Sequence, residues 1–272
     1  MKTKKLLFVY IVLLLIVIAT MFFLWQSLSG KLFVRDYPEI KEEGVLRIVT
    51  EYNQSGYYIS GDTIEGFQYE LSQAISDISG LEVQISLETR LPESFRLLSE
   101  GEYDIIALNI PVTSDKRNDF LFSDPIVLNK QVLVQRSGND SVQPIRKQLD
   151  LANKVLYVPE GSPAIIRIQN LQDEIGDSIY IVEDKTYSEE QLIIMVVKGE
   201  IDYAVCDQQM AETYKKIYPE IDIDTDISFT QLQSWVVRKD APILLDSLNS
   251  WIDQIKKSGV FDNIYKRYYK RR

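Results

Sequence analysis

The stretch Ile105–Arg136, IIALNIPVTSDKRNDFLFSDPIVLNKQVLVQR, constrains the fold most. An apolar strand, Ile105–Leu108, runs into a polar turn, Asn109–Arg117. A Phe-rich segment, Phe120–Pro125, and a second strand, Gln131–Gln135, follow. A strand whose C-terminal end meets a polar turn, followed by a crossing into another set of elements, predicts a ligand cleft between two α/β lobes.

The rest of the chain alternates in the same way. Val45–Thr50 is a strand bounded by Gly44 and the polar run Glu51–Gln54. Phe67, Leu71, Ala74, Ile75 and Ile78 fall at helical spacing, and Gly80 stops that helix. Val83–Leu87 is a strand, and Glu93–Ser99 a short helix behind Pro92. After the connector Ser137–Ser141 the alternation restarts: helix Ile145–Leu149, strand Val155–Val158, helix Pro163–Ile175 with Ser162 as its N-cap, strand Ile179–Val182. Helix Ser188–Val197 then opens on a Ser188/Gln191 capping box, and strand Tyr203–Cys206 and helix Gln208–Tyr218 follow. Gln233–Val237 returns to the first lobe, and helix Pro242–Lys257 carries Leu244, Leu248, Trp251, Ile252 and Ile255 on one face. Strand–helix alternation predicts largely parallel sheets. The expected division is a first lobe over 45–135 and 234–272, a second over 136–233, a linker over 30–44, and hinges at Val134–Arg136 and Ser228–Gln233. Gly101-Glu102-Tyr103-Asp104 and Gly199-Glu200-Ile201-Asp202 precede corresponding strands, so that Asn109 and Asp207 both end a strand, where open α/β sheets bind ligands.

Composition narrows the chemistry. The net charge of −10 argues against a nucleic-acid partner. The chain has no His, which removes His-activated nucleophiles and His metal sites, and the single Cys206 has no partner for an internal disulfide. Neither a metal nor a cofactor is expected. Leu6–Trp25 is uncharged over twenty residues and follows Lys2, Lys4 and Lys5. At about 1.5 Å per residue this spans a hydrocarbon core of about 30 Å. The bulky Met21–Trp25 end and the positive N-terminal flank fit an uncleaved transmembrane anchor over residues 1–29, and a cleaved signal peptide is the competing reading. Either reading puts the bulk of the chain in the periplasm or outside the cell, and the anchor reading makes it a single-pass protein of the inner membrane.

The ordered set Leu46–Thr50, Gly66–Leu71, Gly101–Asp104, Thr113–Pro125, Gly161-Ser162, Gly199–Asp207 and Lys257–Tyr268 resembles the bacterial extracellular solute-binding proteins, family 3. Among chains that carry this module it is similar to the non-catalytic sensor half of membrane-bound lytic murein transglycosylases. The resemblance implies a two-lobed, type II periplasmic-binding-protein-like fold. The chain ends where the module ends, so no transglycosylase domain and no enzymatic activity are expected. In that family an aromatic residue covers the ligand, and Tyr57 or Tyr58 falls in that loop. An Arg of a T-x-x-R turn pairs with the ligand carboxylate; the match here is Thr113 with Lys116 and Arg117, and Lys offers a point charge where Arg offers a planar fork. Pro111 stands where a hydroxyl is usual, and Asn109 where Gly is usual. Ser162 matches the helix start that assists the anion, and Asp207 matches the residue that pairs with the α-ammonium. The implied ligand is a small polar solute: an amino acid, a peptide or a muropeptide-like fragment. The implied partner is a membrane transporter or a cell-wall enzyme. Two other readings remain open: a ligand-free interaction or scaffold protein, and a dehydratase-like enzyme drawing on Asp207, Glu51 or Asp124.

Overall fold

The computed structural model describes residues 13–21, 35–138 and 143–270. Residues 1–35 form one unit and Asp36–Arg272 another. The first unit holds helix α1, residues 13–21, with its apolar side chains exposed. Among the described residues no helix is long and apolar enough to cross a membrane. The remainder of the uncharged run Leu6–Trp25 lies outside the described residues.

The second unit opens with α2 (Tyr37–Glu43), where a linker was expected. Asp36 caps it through a capping box with Glu39. The same carboxylate accepts the Ile243 and Leu244 backbone N–H groups at 3.1 and 2.7 Å, so one acid caps two helix starts and ties the entry segment to the first lobe. The chain continues through β1 (Val45–Thr50), the hairpin β2 (Tyr58–Ser60) and β3 (Thr63–Glu65), α3 (Phe67–Ser79), β4 (Glu82–Leu87), α4 (Leu91–Glu100), β5 (Ile105–Pro111), α5 (Lys116–Asp119), β6 (Phe120–Phe122) and β7 (Val127–Asn129). Next come β8 (Gln131–Arg136), a 3-10 turn (Gln148–Leu151), β9 (Val155–Pro159), α6 (Ala164–Ile175), β10 (Tyr180–Asp184), α7 (Glu189–Lys198), β11 (Tyr203–Asp207), α8 (Gln208–Ile217) and β12 (Ile221–Asp226). The chain then runs through β13 (Gln231–Arg238), α9 (Pro242–Lys257) and α10 (Val260–Tyr269).

Two separate sheets make two lobes. The first runs β4-β1-β5-β13-β6 with β7 beside β13; the second runs β10-β9-β11-β8-β12. In each, three parallel strands are extended by antiparallel ones. Phe67, Leu71 and Ile75 of α3 and Leu244, Leu248, Ile252 and Ile255 of α9 pack one face of the first sheet around the fully buried Trp235. Each buried aliphatic side chain there contributes about 1.5–3 kcal/mol over exposure. Leu192, Val196, Ala211 and Tyr214 pack one face of the second sheet, and Ile168 and Leu171 the other.

The crossing points differ from those expected. All of β8, Gln131–Arg136, belongs to the second sheet, where it pairs with β11 and β12. Val134–Arg136 is therefore ladder, not hinge, and the first crossing is Lys130, between β7 and β8. The second crossing, residues 227–230, joins β12 to β13, which rejoins the first sheet from Gln231. The two crossings are tied together: Ile227 N–H donates to the Gln131 carbonyl at 2.9 Å, and Gln131 N–H donates to Ser228 Oγ at 2.9 Å. The lobes are thus joined by two short, adjacent connections, Lys130 and residues 227–230.

Candidate functional site

The lobes enclose a cavity of about 140 Å³. At about 10–15 Å³ per water on the same measure, it has room for on the order of ten waters, the scale of a small polar solute. The first lobe supplies the loop after β1, the end of β5 and the tip of α10. The second supplies the residues before α6 and the starts of α7 and α8.

Local folding places each wall. The loop after β1 folds back on the start of α3: the Ser55 and Gly56 carbonyls accept the Gln68 and Tyr69 N–H groups at 3.0 and 3.1 Å. This approach requires glycine twice. A Cβ at Gly56 would lie 2.2 Å from the Glu51 carbonyl oxygen, and one at Gly66, with φ 139°, would lie 2.2 Å from the Gly56 carbonyl oxygen. The fold-back leaves Glu51 and Asn53 on the cavity wall, with Asn53 Nδ2 donating to Glu51 Oε2 at 2.8 Å.

A chain of hydrogen bonds runs from the core to this wall. Trp235 Nε1 donates to Gln68 Oε1 (2.7 Å), and Gln68 Nε2 donates to Asn109 Oδ1 (2.8 Å). Asn109 Nδ2 donates to the Tyr269 hydroxyl (3.3 Å), which bonds Ser55 Oγ (2.9 Å). Gln68, Asn109, Tyr269 and Ser55 all line the cavity.

Opposite stand the carboxylates. Glu189 is the first residue of α7, behind the Ser188–Gln191 capping box, and Asp207 is the N-cap of α8. The Asp207 backbone N–H donates to Glu189 Oε2 at 3.1 Å. Burial, then the Glu189 charge, pushes the Glu51 carboxyl up from 4.5 to about 8, against the Asn53 hydrogen bond. Burial likewise raises Glu189 from 4.5 to about 7, against the Asp207 N–H. Asp207 rises well above 3.8 by burial and by the charges of Glu189 and Glu51, opposed by the Gln233 and Asn129 amides. Carboxylates that repel one another in a low-dielectric cleft are a frequent mark of a binding or catalytic site. Glu160 also lines the cavity; among the described lining residues there is no Lys or Arg.

Of the residues expected from sequence, Asn109, Ser162 and Asp207 line the cavity, and Tyr57, Tyr58, Thr113, Lys116 and Arg117 do not. The reason for the last three is the length of β5. It runs on to Pro111, so the turn begins later and carries them past the cleft. The Thr113 hydroxyl is bonded to Asp115, Lys116 Nζ sits 4.6 Å from the centre of the Phe95 ring, and Arg117 is exposed. Tyr57 packs edge-on against Tyr69 at 5.5 Å, and Tyr58 donates its hydroxyl to Glu65 in the hairpin. Asp124 also stands outside the cavity, with its N–H donating to Asn249. Pro163, not Ser162, is the residue before the first turn of α6, and Ser162 Oγ accepts the Ala164 N–H at 3.3 Å. Glu189, Tyr268 and Tyr269 also line the cavity and carry no functional motif in the sequence. Their signals were a first-turn acid behind a capping box and two aromatics near the chain's end, each with an ordinary packing or capping role. Among the described residues no group of His, Cys, Asp and Glu is arranged to hold a metal ion.

Known proteins share this architecture. The chain is 31% identical over 262 residues to a membrane-bound lytic murein transglycosylase F of Desulfosudis oleivorans, covering 92% of this chain and 56% of that protein. The chain thus spans about half the length of the curated relatives it matches. An ancestral arginine-binding protein bound to glutamine superposes with a TM-score of 0.73 at 24% identity, covering 84% of this chain and 99% of the other. The holo form of ArgBP from T. maritima superposes with a TM-score of 0.70 at 24% identity, covering 85% and 99%. These structural likenesses show the fold. Residues 46–271 match the family described as bacterial extracellular solute-binding proteins, family 3, and the chain belongs to that family.

Proposed function

We propose that this chain is a membrane-anchored receptor, facing the periplasm or the outside, that closes its two lobes on one small polar solute and passes the bound state to a membrane or cell-wall partner. The observation that carries this reading is the cavity itself, whose wall is shared between Asn109 in one lobe and Ser162, Glu189 and Asp207 in the other, beside two adjacent chain crossings that can serve as a hinge. Asn109, Ser162 and Asp207 serve as ligand contacts, and Glu51 and Glu189 join them. The uncharged Leu6–Trp25 run behind three lysines supports an anchor. The relatives' description as membrane-bound lytic murein transglycosylases supports a partner in cell-wall turnover, with a transporter as the other candidate.

The test is a thermal-shift screen of the full chain against amines, free amino acids, short peptides and muropeptides, with Asp207→Ala alongside. A ligand at a hundred times its dissociation constant adds about 2.7 kcal/mol of stability. A shift that Asp207→Ala abolishes is expected. A folded protein stabilised by no compound in any of these classes overturns the reading in favour of a scaffold role.

A further inference from the structure

The charges and backbone groups around the cavity favour one class of solute over the others in the family. A zwitterionic amino acid needs a donor-rich place for its carboxylate. Here the cleft has no cation on its described walls, and the turn carrying Lys116 and Arg117 lies outside it. The start of α6, which would receive an anion, is already satisfied. Gly161 N–H donates to Glu183 Oε2 (3.2 Å), Ser162 N–H to the Pro159 carbonyl (3.1 Å) and Ala164 N–H to Ser162 Oγ (3.3 Å), while Pro163 has no N–H.

The cation side is over-supplied. Glu51, Glu160, Glu189 and Asp207 approach from different elements of both lobes. Among the described residues they form no group that could hold a metal ion, and they stand on both lobes, so a chain with amines at separate positions can reach more than one of them. A second, independent observation is Gln209, which also lines the cavity. Its Nε2 is turned to the Leu128 carbonyl, and this leaves Oε1 as a buried acceptor without a donor. An orphaned buried acceptor favours a ligand that donates, whereas the other such atom on the wall, the donor Asn129 Nδ2, has the Asp207 carboxylate beside it. Tyr268 and Tyr269 add aromatic surface, which suits an alkylammonium.

Resting on the receptor reading above, we propose that the cavity takes an organic polycation, a chain with at least two protonated amines, and disfavours a ligand carboxylate. A cation introduced among like charges relieves their repulsion, whereas a ligand carboxylate adds to it.

The test is calorimetric titration of the full chain with two matched pairs that differ by one carboxylate: cadaverine against L-lysine, and agmatine against L-arginine. n-Butylamine serves as the single-charge control. The decarboxylated member of each pair should bind at least about tenfold more tightly than its amino acid and than n-butylamine. Glu189→Gln should weaken cadaverine at least about tenfold, whereas Asp202→Asn, an exposed carboxylate on the second lobe, should leave it unchanged. Because Glu189→Gln removes a partly desolvated charge, the variant should fold at least as stably as the wild type. Tighter binding of L-lysine and L-arginine than of their amines overturns the polycation proposal while the receptor reading stands. Equal binding of n-butylamine and cadaverine likewise overturns it. Binding of none of these compounds, nor of any amino acid, peptide or muropeptide, overturns both.

Discussion

Replacing Glu51 with Gln should stabilise the empty protein above neutral pH. The Glu51 carboxyl titrates near 8 in the fold and near 4.5 when free. Between those values the native state keeps a proton that the unfolded chain has released, so stability falls as pH rises. The slope approaches about 1.4 kcal/mol per pH unit for one proton. Integrated from 4.5 to 8, the cost at alkaline pH is at most about 5 kcal/mol, and water in the cleft reduces it to about half. Glu189 and Asp207 titrate in the same direction and interact with Glu51, so their costs are not additive. Carboxylates held low by partners, such as Asp222 beside Arg146, Glu174 beside Arg167 and Asp115 beside Thr113, change charge below this window. Urea denaturation from pH 5 to pH 9 reads the effect. Wild-type stability should decline toward pH 8, and Glu51→Gln should decline less steeply and cross above wild type. Parallel curves for the two proteins, or a wild type that gains stability over this range, would refute the assignment of a retained proton to the cleft.

Asp104 and Asp202 occupy the same place in the two Gly-x-x-Asp turns, each just before the third parallel strand of its sheet, but differ in burial. Asp104 is fully buried, accepts the Arg47 N–H at 2.9 Å and stands 3.8 Å from the buried Arg238, so Asp104→Ala should cost about 3–5 kcal/mol in denaturant titration. Asp202 pairs with Arg136 at the surface, and Asp202→Ala should cost under about 1 kcal/mol in the same assay. Gly66→Ala should lower the melting temperature by several degrees, because its Cβ meets the Gly56 carbonyl and its φ of 139° disfavours any side chain. Gly161→Ala places a Cβ 2.7 Å from Pro92 Cγ on the opposite lobe; it should weaken ligand binding severalfold in titration by holding the lobes apart, and its φ of 69° should add a stability cost of about 1 kcal/mol in denaturant titration.

What was readable from sequence divides by range. Val45–Thr50 and Pro242–Lys257 have the bounds read from periodicity, and the Ser188–Gln191 capping box is present, because local pattern alone decides these features. The lobe boundary was misplaced because β8 finds its neighbours β11 and β12 about 70 to 90 residues further on, and no local signal carries that pairing. Ile221–Asp226, IDIDTD, alternates acidic residues with apolar or hydroxyl ones, the period of a half-buried strand. It is a strand because Ile221, Ile223 and Thr225 turn inward, and because the one buried acid, Asp222, is held by Arg146 and Gln135. In the site, Asp207 and Asn109 were readable because a strand's C-terminal end is a fixed address in an open sheet. Glu189 was not, because an acid in a helix's first turn is ordinary until the opposite lobe brings Glu51 toward it.

The hydrogen-bonded path from Trp235 to Ser55 has a direction as well as a course. An indole nitrogen only donates. Gln68 must therefore present its oxygen to Trp235 and its nitrogen to Asn109, which must in turn present its oxygen to Gln68 and its nitrogen to Tyr269. The Tyr269 hydroxyl, having accepted from Asn109, completes the path with a hydrogen bond to Ser55 Oγ in which either oxygen can donate. Neither amide is free to rotate by half a turn, so the donor and acceptor pattern that this wall offers a solute is dictated by a ring fully sealed in the core. Selectivity in such a cleft is inherited from a residue that no solute touches, and exchanging that indole for a phenyl ring would free the two amides to rotate without changing any lining residue.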